Sequence, residues 1–111
     1  MITIPLHQLS CPGSYEIESR DPAKPGAFVV HHPQGVSAYL NCCPHTGAPL
    51  NWQPDQFLDF EQKHILCSLH GALFRSDDGF CIAGPCLGES LTPVPVSVDK
   101  DQILVGFDPG V

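Results

Sequence analysis

Three features of the sequence predict an antiparallel all-β domain, a sandwich or barrel, with a small inserted subdomain. Short segments of alternating apolar and polar residues fill the first and last thirds. Twelve prolines and ten glycines in 111 residues punctuate the chain too finely for a helical bundle. The middle third then loses the alternation and breaks into loops. A chain of this length buries roughly 65% of the surface it exposes when unfolded, enough for one modest core. The expectation is a single domain over 1–111, with a base of about 1–41 and 87–111 and an insert of about 42–86.

The elements follow in chain order. Ser14 to Glu18 alternates as a strand, and a polar Pro/Gly turn runs from Asp21 to Gly26. Ala27-Phe28-Val29-Val30-His31 is rich in β-formers. His32-Pro33-Gln34-Gly35 reads as a turn and Val36 to Asn41 as the return strand of a hairpin. In the middle, the apolar runs are short, as at Ile65-Leu66 and Ala72-Leu73-Phe74, and Asp77-Asp78-Gly79 is a hairpin-type turn. So broken a region cannot build a regular core alone and calls for a staple such as a metal centre. Helix is expected to be minor, with a short turn at most within Gln53 to Gln62. Val94, Val96 and Val98 then alternate with Pro95 and Ser97, Asp99-Lys100-Asp101 turns the chain, and Ile103, Val105 and Phe107 alternate on the return. Pro93 and Pro95 suit an edge strand, because proline cannot donate to a ladder.

Composition excludes several functions. Five basic against twelve acidic residues give a net charge of −7, so the electrostatic footprint of a nucleic-acid binder is missing. Adhesion to an anionic membrane surface is equally disfavoured, and no run of 18 apolar residues is present to span a bilayer. Met1 to Pro5 lacks the basic and apolar regions of a signal peptide, which points to a cytoplasmic protein. In that compartment thiols stay reduced, and six cysteines mean metal or redox chemistry more readily than disulfides.

The arrangement of cysteine and histidine carries the chemistry. Cys43-Pro44-His45 and Cys67-Ser68-Leu69-His70 each pair a thiol with an imidazole at chelating distance in a turn-forming segment, with 21 residues between His45 and Cys67. Zinc accepts two cysteines and two histidines, but zinc fingers usually pair like with like. A mixed knuckle suits a binuclear centre, in which each loop gives one ligand to each metal. The other candidates read as ordinary residues: Cys42 as a buried thiol, Cys81 and Cys86 as thiols rather than a bridge, and Cys11 as a loop residue. His7, His31, His32 and His64 read as surface or turn residues. Glu61 with His64, or His31 with His32, offers no spaced triad for a mononuclear iron, and no nucleophile–base pair is apparent. Asp77-Asp78 reads as a solvated turn.

Cys43-Pro44-His45-Thr46-Gly47-Ala48-Pro49-Leu50 and Cys67-Ser68-Leu69-His70-Gly71-Ala72-Leu73-Phe74 resemble the two boxes of Rieske [2Fe–2S] proteins. Gly84-Pro85 and the flanking strands resemble the small, soluble ferredoxin-type members of that family. The resemblance implies a Rieske-like fold and one [2Fe–2S] cluster. Cys43 and Cys67 would bind the inner iron, and His45 and His70 the outer. The spacer is longer than is typical, and the surplus around Trp52 to Glu61 is expected to form a surface loop. Pro49, Leu50, Trp52 and Pro85 are expected to form an apolar collar around the histidines.

Family resemblance also implies the function: one-electron transfer between a flavin reductase and an oxygenase or other redox enzyme, with no catalysis by the chain alone. A small subunit of a larger reductase, as in nitrite reductases, is the second reading. Two ferric ions, two sulfides and two thiolates sum to zero charge when the histidines are neutral, so this ligand set accepts an electron more readily than four cysteines do. Respiratory members add a cysteine pair bridging the loops, and a serine and a tyrosine that donate hydrogen bonds toward sulfur. The corresponding positions here hold Ala48, Leu69, Ala72 and Phe74. The implied potential lies toward the low end of the Rieske range of about −150 to +300 mV.

Overall fold

The computed structural model describes residues 2–20, 24–42, 44, 50, 57–59, 63–67, 71–85 and 87–107. Among the described residues, nine strands form three antiparallel three-stranded sheets. The first contains β1 (Ile2–Pro5), β9 (Gln102–Val105) and β8 (Val96–Asp99), in that order. The second is a meander of β2 (Gly13–Ile17), β3 (Ala27–His32) and β4 (Gly35–Leu40). The third is a meander of β5 (His64–Leu66), β6 (Leu73–Arg75) and β7 (Cys81–Ala83). Helix among the described residues is one 3-10 turn at Leu6–Gln8.

β3 explains how three layers stack. Successive side chains of a strand point to opposite faces. Ala27 and Val29 enter a core with Ile4, Ile17, Ala38, Ile103 and Val105, which joins the first sheet to the second. Phe28 and Val30 enter another with Tyr39, Phe57, Ile65, Phe74 and Leu91, which joins the second sheet to the third. The uninterrupted apolar run in the sequence is therefore a strand buried on both faces, and the second sheet is the middle layer. The broken middle of the chain does not build a core alone; it shares one with β3 and β4.

Three expectations need correction. Phe57 does not belong to a surface loop. It is fully buried, stacked on Phe28 with ring centroids 4.2 Å apart, and Leu58 bridges to Ile65. A 21-residue spacer is long enough to return an aromatic residue to the core. The strand expected through Val94 to Val98 is divided between two sheets. Val94 donates its N–H to the Ala38 carbonyl at 2.8 Å and the Leu40 N–H is accepted by the Thr92 carbonyl at 2.9 Å, whereas β8 proper begins at Val96 and pairs with β9. β8 lies at the edge of its sheet, and Pro93 and Pro95, expected within that edge strand, precede it. Thirdly, His32 is not a surface residue but 7% exposed. Its Nδ1 lies 3.2 Å from both the Gln34 backbone nitrogen and the Gln34 side-chain oxygen, and its Nε2 lies 2.8 Å from Ser37 Oγ.

The turn at Asp77-Asp78 is exposed, as expected. Asp78 is held below the usual carboxylate range, first by the Phe80 N–H at 3.0 Å and then by the Arg75 guanidinium. Tyr39, by contrast, is pushed up to about 12 by burial. Its hydroxyl stays protonated at neutral pH and donates to the Ser76 carbonyl at 3.0 Å, tying β4 to the β6–β7 turn.

Candidate metal centre

The segment carrying the first knuckle starts where β4 ends. Asn41 is 5% exposed, and its Oδ1 accepts the Leu50 N–H at 2.8 Å. Its own N–H is bonded to the Gly26 carbonyl at 2.9 Å. Asn41 thus closes the segment at its root and fastens it to the middle sheet, with Cys43 and His45 between the two anchor points. Leu50 is fully buried in the core shared by the second and third sheets, not in an exposed collar. The Asn41 bond pulls the backbone inward at that point, and the side chain follows. Pro85 is exposed, as a collar residue would be, while Pro49 and Trp52 lie outside the described residues.

The second knuckle starts where β5 ends. Cys67 donates its N–H to the Ala72 carbonyl at 2.9 Å and accepts the Gly71 N–H at 2.8 Å. These bonds prolong the β5–β6 ladder by one step beyond the Leu66–Leu73 pair and tie Cys67 to Gly71 and Ala72. Gly71 has a φ of +72°, a conformation few residues other than glycine adopt readily. Cys67 itself is fully buried.

Both roots meet in one place: Leu50, Cys67 and Ala72 belong to the same buried cluster. Cys43, His45 and His70 lie outside the described residues, as does Cys86. Two short loops closed on a common core, one with a thiol withheld from water at its root, fit a centre that needs sulfur inside and imidazole outside. One cysteine and one histidine per loop fit two metals better than one. Among the described residues no group of three or more His, Cys, Asp or Glu is placed to hold a metal ion elsewhere.

The remaining histidines and cysteines have other partners or other places. His31 donates from Nδ1 to the Leu9 carbonyl at 3.1 Å, His64 Nδ1 faces Asp59 Oδ2 at 3.7 Å, and His7 is exposed. Cys81 is buried with its thiol 3.1 Å from the Ala83 carbonyl, and Cys11 is exposed.

A Rieske [2Fe-2S] domain profile matches residues 13–100. The chain belongs to the Rieske [2Fe–2S] family. Its chemistry is therefore one-electron transfer through one [2Fe–2S] cluster. The ferredoxin of carbazole 1,9a-dioxygenase from Nocardioides aromaticivorans IC177 is 27% identical, with a TM-score of 0.72 over 95% of this chain and 94% of that one. The Sphingomonas yanoikuyae B1 ferredoxin is 20% identical, with a TM-score of 0.63 over 95% of each chain. A chain from the complex of reduced oxygenase and oxidized ferredoxin in carbazole 1,9a-dioxygenase is 17% identical, with a TM-score of 0.71 over 94% of this chain and 99% of that one. A search of curated proteins gives no match. No helix among the described residues of this Rieske chain is long and apolar enough to cross a membrane.

Asn41 escaped notice in the sequence because it closes a strand and lacks the chemistry of a ligand. A polar residue at the end of a strand, two positions before a knuckle cysteine, was the available signal. Asn41→Ala is expected to leave the buried Leu50 N–H without its acceptor and to cost about 1–3 kcal/mol. Chemical denaturation of the variant checks this, and an unchanged midpoint would show that the bond does not hold the loop.

Proposed function

We propose that Cys43, His45, Cys67 and His70 hold the cluster, with the cysteines on the inner iron and the histidines on the outer. The chain then serves as a ferredoxin, carrying one electron at a time from a flavin reductase to an oxygenase. The observation that carries the ligand assignment is the meeting of the two loop roots, Leu50 on one side and Cys67 with Ala72 on the other, in a single buried cluster. When bound, the cluster accepts and releases a single electron. The protein's part is to keep Cys67 from water, to close each loop at its root, and to hold the imidazoles where a partner can approach. Likeness in fold and length to two ferredoxins supports the carrier role, and the complex of oxygenase with ferredoxin supports an oxygenase as acceptor. The proposal takes 1–111 as one Rieske domain, with a base of about 1–41 and 87–111 around a cluster-binding insert of about 42–86, working in the cytoplasm.

Metal analysis tests the assignment. Two irons and two sulfides per chain are expected, with a Rieske-type electron paramagnetic resonance signal after reduction. One zinc per chain and no visible absorption would overturn it.

Potential gives a finer check. Ala72 is fully buried in the same cluster as Cys67, and its carbonyl accepts the Cys67 N–H, so a hydroxyl added there is a candidate donor to the Cys67 sulfur. A donor to sulfur favours the reduced state, which carries the extra negative charge. If that preference amounts to about 1 kcal/mol, Ala72→Ser raises the potential by on the order of 50 mV, since 59 mV corresponds to a tenfold change for one electron. An unchanged potential would show that the hydroxyl does not reach.

A further inference from the structure

Four large hydrophobic side chains are exposed among the described residues, and three of them, Phe80, Ile82 and Leu87, lie on one stretch of chain. Backbone bonds gather that stretch. The Cys81 N–H is accepted by the Glu89 carbonyl at 2.8 Å, and the Leu91 N–H by the Gly79 carbonyl at 2.9 Å, so the chain after β7 folds back along it. Leu87 donates its N–H to the Gly84 carbonyl at 3.3 Å, and Gly88 donates to the Cys81 carbonyl at 3.4 Å, which holds Leu87 near the end of β7. Cys81 is buried between Phe80 and Ile82, so those two turn outward. Phe80 has a partner in the Arg75 guanidinium, 5.1 Å from its ring centroid. Leu87 stands out furthest, 65% exposed. A single exposed apolar residue is ordinary, but several together mark a contact surface.

The patch adjoins the metal centre. A Cβ built on Gly84 would lie 2.7 Å from the Ala72 Cα, and the Ala72 carbonyl accepts the Cys67 N–H. A protein seated on Leu87 is therefore close to the root of the second knuckle. The surrounding charge says what kind of protein that is. From residue 42 to residue 90 the sequence carries six acids, Asp55, Asp59, Glu61, Asp77, Asp78 and Glu89, against two cations, Lys63 and Arg75. With the histidines neutral, that stretch has a net charge of −4. Arg75 is already paired with Asp78, Nη2 to Oδ2 at 2.6 Å, and Glu89 is exposed two residues beyond Leu87.

We propose that Ile82 and Leu87 are the contact on which a redox partner docks, a protein presenting an apolar patch ringed by lysine and arginine. Apolar side chains at the centre of such an interface supply strength, and opposite charges at the rim speed the encounter. That the partner exchanges electrons rests on the carrier role proposed above. The surface itself does not, and binding without electron transfer tests it.

The experiment is isothermal titration of the oxidised, cluster-loaded protein with ferric cytochrome c, whose apolar haem edge is ringed by lysines. Acidic cytochrome b5 is the opposite probe. At an ionic strength of about 10 mM, where charges act over roughly 30 Å, cytochrome c is expected to bind at one site with a Kd at or below about 100 μM. Cytochrome b5 is expected to bind at least tenfold more weakly. Leu87→Ser is expected to weaken cytochrome c at least threefold, and Ile82→Ser with Leu87→Ser at least tenfold, with the visible spectrum unchanged. Val98→Ser removes a side chain 48% exposed on the first sheet and is expected to leave affinity within twofold. Absence of cytochrome c binding overturns the proposal, as does equal binding of cytochrome b5. So does full affinity in the double variant, which would show that charge alone holds the probe, or a loss with Val98→Ser equal to that with Leu87→Ser. One zinc per chain with these affinities intact would instead overturn the carrier role and leave the surface standing.

Discussion

His70→Ala is expected to abolish the Rieske spectrum, whereas His64→Ala is expected to leave it in place. The two histidines sit six residues apart on either side of Cys67, and a ligand search by sequence proximity alone would admit both. Structure separates them. His64 opens β5 at the end remote from the Cys67 turn, pairs in register with Arg75, and turns its Nδ1 toward Asp59. His64 and Cys67 are three positions apart on one extended segment, so their side chains point to opposite faces of the sheet. His70 is the residue before Gly71, whose N–H is bonded to the Cys67 carbonyl, so it belongs to the same closed loop as Cys67. Removing a first ligand is expected to bring iron content and visible absorption to background. Removing His64 costs a part-exposed contact with Asp59, about 1 kcal/mol at most. Equal loss of cluster in both variants would place the second knuckle's imidazole wrongly.

The second large effect is expected at Gly84. It follows β7 with φ of +96°, and a Cβ built there would lie 2.7 Å from the Ala72 Cα. That neighbour is backbone at the root of the second loop, so it cannot swing aside as the end of a side chain would. Gly84→Ala therefore combines a strained backbone with a forced separation of two chain segments. Together these are expected to cost about 3 kcal/mol or more and to disturb the turn that Cys67 begins. Gly88→Ala is the control: φ there is +91°, but nothing lies within 4 Å of the added carbon. Its cost is expected to be the backbone strain alone, about 1–2 kcal/mol. The readout is the rate at which visible absorption is lost in denaturant, measured on both variants. Equal rates would show that the approach of Gly84 to Ala72 is relaxed without cost.

Much of the fold was legible in local pattern. The hairpin from Ala27 to Asn41, the turn at Asp77-Asp78 and the closing hairpin at Lys100-Asp101 each depend on residues near one another in the chain. Alternation and turn chemistry therefore identified them. Pairing of β1 with β9 joins the two ends of the sequence, and no local pattern encodes that partnership. The candidate site was legible in the same way. Cysteine and histidine have few common reasons to recur in mixed pairs, so Cys43, His45, Cys67 and His70 stood out by chemistry and spacing alone.

Side-chain type and spacing thus determined by themselves the β class and the hairpins and pointed to the two mixed knuckles, while the family was read from the resemblance of the two motifs. Tertiary structure decided which apolar residue goes where. Leu50 suited an exposed collar and Phe57 a surface loop, yet both are wholly buried, because the middle layer offers the face of Phe28, Val30 and Tyr39 to whatever crosses it. It also decided why Gly84 has no side chain and why Asn41 is polar where a strand ends. Each of these depends on a neighbour distant in sequence. Burial, close approach and field are properties of what surrounds a residue, and that is settled only when the sheets have stacked.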